Sequence, residues 1–232
     1  MCGLVGAAAR RNVIPILIDG LQRLEYRGYD SAGVAVQSEQ DLLERVRKVG
    51  KVAELRSALN DTPVSGLTGI AHTRWATHGE PSEQNAHPHV CHERVALVHN
   101  GIIENHDALR ASQQQAGYRF TSQTDTEVIV HQIHHYLDQG QDLRAAVGST
   151  VNDLEGAFAL GVISKDEPGR LIAARRGSPL VIGIGEDEHL IASDVAALVS
   201  ETQQFVFLED GDLADITCDG MTIRDAAGVL VE

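Results

Sequence analysis

The chain predicts an α+β domain built on antiparallel sheets, and three features of the sequence point there. Short apolar segments of strand length far outnumber amphipathic segments of helix length. The helical segments cluster in the middle of the chain instead of alternating with strands, which argues against a doubly wound parallel sheet. From Gly156 onward the pattern is mostly short strands between turns.

Residues 2–9 are small and apolar and predict a buried strand. Asn12 is placed to cap a helix with Pro15 in its first turn, where a missing N–H is tolerated. Ile14, Leu17, Ile18, Leu21 and Leu24 then recur at helical spacing. The turn Arg27-Gly28-Tyr29-Asp30 leads into a strand over 32–36, followed by a strand over 42–49 and a short helix over 52–59. Strands at 67–73 and 95–99 flank a polar loop over 74–92, and a loop of that length is usually functional or disordered. Helices are predicted over 107–116, 124–139 and 142–151, the second with Ile129, Ile133, Tyr136 and Leu137 on one face. Strands follow at 157–164, 171–174, 180–184, 189–192, 205–208, 213–217 and 221–224. No internal repeat, low-complexity tract or linker divides the sequence, so residues 1–232 read as one domain.

At 232 residues and 25.0 kDa the chain is long enough to bury a substantial core. With aromatics at only 4%, that core must rest on Val, Ile, Leu and Ala. A formal net charge of −14 argues against nucleic acid and anionic membrane surfaces as partners. From Gly183 onward Asp and Glu crowd a stretch whose one Lys or Arg is Arg224, which reads more simply as a solvated face than as a docking surface. Cys2, Cys91 and Cys218 are odd in number and lack CxxC spacing. That suits a reducing, cytoplasmic setting and supports neither a disulfide framework nor a thiolate zinc site. No apolar run is of bilayer length, no basic leader precedes an apolar stretch, and Cys at position 2 breaks the myristoylation pattern.

Four segments could carry chemistry. In Met1-Cys2-Gly3 a small second residue permits removal of the initiator, which would leave Cys2 with a free α-amine. Such an amine titrates at about 7.7–8.0, so a single residue would hold both nucleophile and base. On the tripeptide alone, a buried structural Cys is the simpler reading. His99-Asn100-Gly101 reads equally as a hairpin turn and as a donor pair, Asn100 amide and Gly101 N–H, for an oxyanion. In Arg74-Trp75-Ala76-Thr77-His78-Gly79, Arg74 could grip a carboxylate, or it could be a surface residue beside a Trp that packs the loop down. Asp125 could face a ammonium group, although Thr124 and Glu127 form a capping-box pattern that favours a first-turn acid. His87, His89 and His92 lie in one loop and His131, His134 and His135 on one helix, but no HExxH-type motif accompanies them and no metal is expected.

Taken together, these segments resemble the class II glutamine amidotransferases. The resemblance rests on Cys2-Gly3-Leu4-Val5-Gly6, Leu24-Glu25-Tyr26-Arg27-Gly28-Tyr29-Asp30-Ser31-Ala32-Gly33 and Gly69-Ile70-Ala71-His72-Thr73-Arg74-Trp75-Ala76-Thr77-His78-Gly79. It continues through Asn85-Ala86-His87-Pro88-His89, His99-Asn100-Gly101-Ile102-Ile103-Glu104-Asn105 and Thr124-Asp125-Thr126-Glu127, in the same order as far as about Leu213. Each motif is weak alone, and six in register are highly specific. The loop from Tyr26 to Ser31 and the triplet Thr77-His78-Gly79 are more similar to the branch that aminates a sugar phosphate than to its phosphoribosyl-amine relatives.

The resemblance implies a four-layer αββα N-terminal-nucleophile hydrolase fold, two stacked, mainly antiparallel sheets between helix layers. It implies hydrolysis of L-glutamine with Cys2 as nucleophile, its α-amine as base, and Asn100 and Gly101 as the oxyanion hole. Arg74 would hold the glutamine α-carboxylate and Asp125 its α-ammonium. Thr77 and His78 would line the pocket, and Trp75 would stand at the gate towards an ammonia channel. Neither cofactor nor metal is implied. Ammonia would pass to a sugar-phosphate isomerase domain outside this sequence, within a homo-oligomeric enzyme, and the chain alone would not make an amino-sugar phosphate. An amidophosphoribosyltransferase would share this entire half. A terminal-Cys amidase of other specificity would share Cys2 and the oxyanion donors but not need both Arg74 and Asp125. A non-catalytic binding module would keep Met1.

Overall fold

A computed structural model describes residues 2–75 and 79–231. Its first half runs β1 (Gly3–Ala9), α1 (Ile14–Arg23), β2 (Ser31–Gln37), β3 (Leu43–Val49), α2 (Val52–Asp61), β4 (Thr68–Arg74), β5 (His89–Cys91) and β6 (Val95–Ile103). Three helices follow, α3 (His106–Gln115), α4 (Glu127–Asp138) and α5 (Leu143–Asp153). The chain then continues through β7 (Gly156–Ser164), β8 (Leu171–Arg176), β9 (Val181–Gly185), β10 (Glu188–Ala192), β11 (Phe205–Phe207), β12 (Leu213–Ile216) and β13 (Met221–Arg224).

These strands form a seven-stranded sheet, β11-β9-β10-β1-β4-β2-β3, and a six-stranded sheet, β13-β12-β8-β7-β6-β5. Neighbouring strands in both are antiparallel. Side chains alternate along each strand and define the layers. In β1, Val5, Ala7 and Ala9 pack with Leu17 and Leu21 of α1, while Leu4 and Ala8 join Ile70, Val98 and Ile163 between the sheets. In β6, Val95 and Leu97 pack with Ile129 and Ile133 of α4, while Ala96 and Val98 face the other sheet. The architecture is therefore the expected αββα sandwich of the α+β class. Burial on both faces also explains why antiparallel strands read as unbroken apolar runs instead of alternating ones.

Three local expectations are corrected. Helix α1 begins at Ile14 behind Val13, and Asn12 serves the approach to it, its Oδ1 accepting from Ile14 N at 3.2 Å and Gly66 N at 3.4 Å. Asn100-Gly101 makes no hairpin turn. Strand β6 runs through it, paired Asn100 to Ala159 and Gly101 to Phe158 on β7, so a long ladder overrides the local turn preference. The capping box also fails, because α4 starts at Glu127 and Thr124 lies outside it. Glu127 still reaches back, accepting from Thr121 N at 2.8 Å, Ser122 N at 2.7 Å and Ser122 Oγ at 2.6 Å. Among the described residues no helix is long and apolar enough to cross a membrane.

Candidate active site

Strand β1 lies between β10 and β4, and the pairing of Gly3 with Thr73 brings Cys2 to the end of β4. Two hydroxyls fix this entry: Thr73 Oγ1 accepts from Gly3 N at 3.0 Å and Ser193 Oγ from Leu4 N at 3.2 Å. The approach is close enough that a Cβ on Gly3 would stand 2.6 Å from Thr73 Oγ1. Cys2 is partly buried, and its Sγ accepts the Trp75 backbone N–H at 3.2 Å. Burial pushes the thiol pKa up, opposed by that N–H and by the charge of Arg74. A thiol so placed is protonated near neutrality and needs a base to become a nucleophile.

Asn100 spans the two sheets at the same point. Its Nδ2 donates to the Cys2 carbonyl at 3.1 Å, and its Oδ1 lies 2.9 Å from His72 Nε2. A chain of buried contacts continues from there. His72 Nδ1 is 2.9 Å from His87 Nδ1, His87 Nε2 is 2.9 Å from Thr126 Oγ1, and Thr126 Oγ1 is 2.9 Å from His99 Nδ1. Burial holds the imidazoles neutral, with His72 pushed down to about 3, His87 well below its ordinary value and His99 lowered.

A neutral imidazole has one N–H and one bare nitrogen, so the direction of the whole chain follows from one end. The Cys2 carbonyl requires a donor, which sets Asn100 Nδ2 towards it and Oδ1 towards His72. His72 Nε2–H therefore donates to Asn100, His87 Nδ1–H to His72, Thr126 O–H to His87, and His99 Nδ1–H to Thr126. The chain ends at His99, whose Nε2 is buried with no hydrogen bond of close geometry among the described residues, while the Ala157 carbonyl acts on the ring and favours its protonated form. One Nδ2 hydrogen of Asn100 remains for an additional acceptor.

Arg74, at the end of β4, is buried and donates to Gly79 O at 3.2 Å and Glu80 O at 3.4 Å, with Asp30 Oδ1 at 3.8 Å. Asp125 is buried before α4, its Oδ2 accepting Ile103 N at 2.8 Å. Trp75 is 54% exposed, and a Cβ on Gly28 would stand 2.7 Å from its Cζ3, so the indole lies against the turn that follows Tyr26. Cys2, Arg74, Trp75, Gly101 and Asp125 line one cavity together with His87, His99, Thr124 and Thr126. Thr77 and His78 lie outside the described residues. The cavity thus joins a thiol, an amide donor nearby, a cation and a carboxylate, a set suited to acyl transfer from a zwitterionic amino acid.

Sequence reasoning assigned no roles to Thr73, Ser193, His72, His87, His99 and Thr126. A signal was present in β4, where His72 directly follows the apolar pair Ile70-Ala71 in a strand buried throughout, but its partners come from other elements. Arg27 was quoted only as part of a motif. It donates to the Cys2 carbonyl at 3.5 Å and to Ser193 Oγ at 3.4 Å, and is ion-paired with Asp194.

The glutamine amidotransferase domain family matches residues 72–200. The chain is 58% identical over 228 residues to glutamine–fructose-6-phosphate aminotransferase (isomerizing) of Pseudomonas aeruginosa, covering 98% of this chain and 37% of that protein. It is 56% identical to the enzyme of the same name from Shewanella oneidensis, covering 100% of this chain and 38% of that one. The chain therefore spans well under half the length of these relatives. Among solved structures, it is similar to glutamine phosphoribosylpyrophosphate amidotransferase from B. subtilis complexed with ADP and GMP. That match has a TM-score of 0.84 at 25% identity, covering 99% of this chain and 50% of that one. A glutamine aminotransferase class-II domain protein from Silicibacter pomeroyi, at 16% identity and TM-score 0.66, shares the fold over 97% of this chain and 99% of its own.

Proposed function

Since this chain belongs to the glutamine amidotransferase family, we propose that it hydrolyses L-glutamine to L-glutamate and ammonia through a γ-glutamyl thioester on Cys2. The observation that carries this reading is the convergence of Cys2, Asn100, Arg74 and Asp125 on one site. With Met1 removed, the Cys2 α-amine takes the thiol proton, directly or through one water. The thiolate attacks the side-chain carbonyl carbon of glutamine. The remaining Asn100 Nδ2 hydrogen and the Gly101 N–H receive the oxyanion. The Cys2 ammonium then protonates the departing nitrogen, and ammonia leaves. Water cleaves the thioester, with the amine again as base, releasing glutamate and restoring the thiol.

Arg74 pairs with the glutamine α-carboxylate. Asp125, in the cavity that His99 also lines, receives the α-ammonium. Thr77 and His78 complete the pocket, and Trp75 gates passage of ammonia. For the acceptor we propose fructose 6-phosphate on a sugar-phosphate isomerase domain of a homo-oligomeric cytoplasmic enzyme. Identities of 53–58% to glutamine–fructose-6-phosphate aminotransferases, against 25% to the phosphoribosyl enzyme, favour that branch. The chemistry requires no cofactor.

The test combines trapping with kinetics. An electrophilic glutamine analogue should label one thiol, mapped to Cys2, and Cys2→Ala should release no glutamate while keeping its circular dichroism. Glutamine should be hydrolysed and Nα-acetylglutamine refused, because acetylation removes the charge that Asp125 pairs with. Labelling at Cys91 or Cys218 alone, or equal turnover of the two amides, would overturn the proposal.

A further inference from the structure

Neither group of histidines noted in the sequence forms a cluster by itself, but the fold brings one member of each beside a cysteine. Strand β5 ends at the buried Cys91, the next residue is the exposed His92, and His134 is buried on α4. Each offers one ligating atom, and the three atoms lie within 4.8 Å of one another. We propose that Cys91, His92 and His134 bind a single zinc ion, at a site sharing no residue with the Cys2 cavity.

The donor set selects the ion. One thiolate and two imidazoles suit zinc, whereas magnesium and calcium take oxygen ligands. Tetrahedral zinc with bonds of about 2.0–2.3 Å holds its donors roughly 3.3–3.8 Å apart, so the site must close by about 1 Å. His92 is the ligand free to make that movement. Its ring is stacked on His134, with centroids 4.5 Å apart and planes at 25°, and turns from that stack into the coordination shell. A fourth position is left for water.

The hairpin itself supports the assignment. His92 and Glu93 have φ of 50° and 53°, and Arg94 N donates to Cys91 O at 3.0 Å. Two successive positive φ angles are what a type I′ turn requires, and Asn-Gly is the pair that adopts them readily. A strained His-Glu pair is retained where it carries an imidazole over the buried Cys91 and His134. Both buried ligands also have a polar neighbour within hydrogen-bond distance. Tyr118 Oη lies 2.9 Å from His134 Nδ1, and His131 Nδ1 lies 3.1 Å from Cys91 Sγ. Asp138 Oδ2 is 3.5 Å from His134 Nδ1, and Arg94 pairs with the same carboxylate at 2.6 Å.

Cobalt(II) is the probe, because a thiolate ligand gives it a charge-transfer band. The full chain and its Cys2→Ser variant should each bind one equivalent with that band, and one equivalent of zinc should bleach it. Cys91→Ser should abolish the band, and His134→Ala should weaken binding by about tenfold or more. His92→Ala, at an exposed turn, tests the site without risk to the core and should weaken binding likewise. A band lost in Cys2→Ser and kept in Cys91→Ser, unchanged affinity in His92→Ala, or no saturable band would overturn the proposal.

Discussion

Asn100 Oδ1 lies 2.9 Å from His72 Nε2, on the side of the amide turned away from the Cys2 carbonyl. That carbonyl accepts only the nitrogen end of the amide, and a neutral His72 protonated on Nε2 supports the oxygen end left facing it. The nitrogen is held at the Cys2 carbonyl, beside the thiol that the proposed mechanism uses. A flipped amide would set two carbonyl oxygens against each other and withdraw the proposed oxyanion donor.

Asn100→Ala is therefore expected to lower kcat by about 10²–10³, the usual effect of removing one oxyanion donor, with KM changed little. His72→Ala should lower kcat by roughly tenfold, since it removes an orienting hydrogen bond worth about 1–1.5 kcal/mol. His72→Gln, which can still donate an N–H to Asn100, should recover most of that loss. Steady-state kinetics on the three variants separates the cases. A loss confined to KM, or no recovery in His72→Gln, would show that His72 supports the fold without setting the amide.

Gly101 makes a second, structural demand at the same place. Its φ is +137°, and a Cβ there would stand 1.9 Å from the carbonyl oxygen of Ala157 on the paired strand. Gly117 also has a positive φ, +95°, but a Cβ there meets nothing within 4 Å. Gly117→Ala is thus expected to cost about 1 kcal/mol from backbone strain alone. Gly101→Ala should cost about 3 kcal/mol or more, because the ladder to β7 must open to admit the methyl group. Urea unfolding of both variants makes the comparison, and equal costs would mean that β7 yields easily.

The same ladder shows where sequence reading succeeds and where it stops. Strands such as β1 and β7 were legible because burial on two faces makes unbroken apolar runs, and their ends fell within a few residues of the observed ones. Asn100-Gly101 stayed ambiguous because its local preference is a turn, while its conformation is decided by partners some sixty residues away on β7. Thr124 misled for the opposite reason. Its spacing to Glu127 fits a cap, yet its Oγ1 lies 3.0 Å from His89 Nε2, from a different segment. The chain from His72 through His87 and Thr126 to His99 draws on four separate stretches, and Cys91 meets His134 across the packing of β5 on α4. No pattern along the chain announces such meetings. The motifs of Cys2, Arg74, Asn100 and Asp125 were recognisable as a set, and folding places Cys2, Arg74 and Asp125 on one cavity with Asn100 bonded to the Cys2 carbonyl.

The buried histidines also make stability depend on pH, with a sign that can be worked out. His72 and His89 are pushed from an ordinary 6.5 to about 3, chiefly by burial, and His87 and His99 are lowered in the same direction. A depressed folded pKa means that the unfolded chain binds protons first as pH falls, so stability is fully present above 6.5 and is lost below it. Between pH 7.5 and 5.5, His72 and His89 should each remove about 1 kcal/mol, and His87 can only add to this. Glu127 acts in a separate, lower window. Burial would raise its carboxyl pKa, but His131 alongside at 3.7 Å and hydrogen bonds from Ser122 and Thr121 hold it well below the ordinary 4.5. Its contribution is therefore intact down to about pH 4.5 and lost only beneath that. Urea midpoints should fall steadily from pH 7.5 to 5.5, and His89→Gln should flatten that slope while leaving the loss below pH 4.5 in place. Stability that holds level or rises on acidification to pH 5.5 would mean that these imidazoles accept protons without leaving their hydrogen bonds.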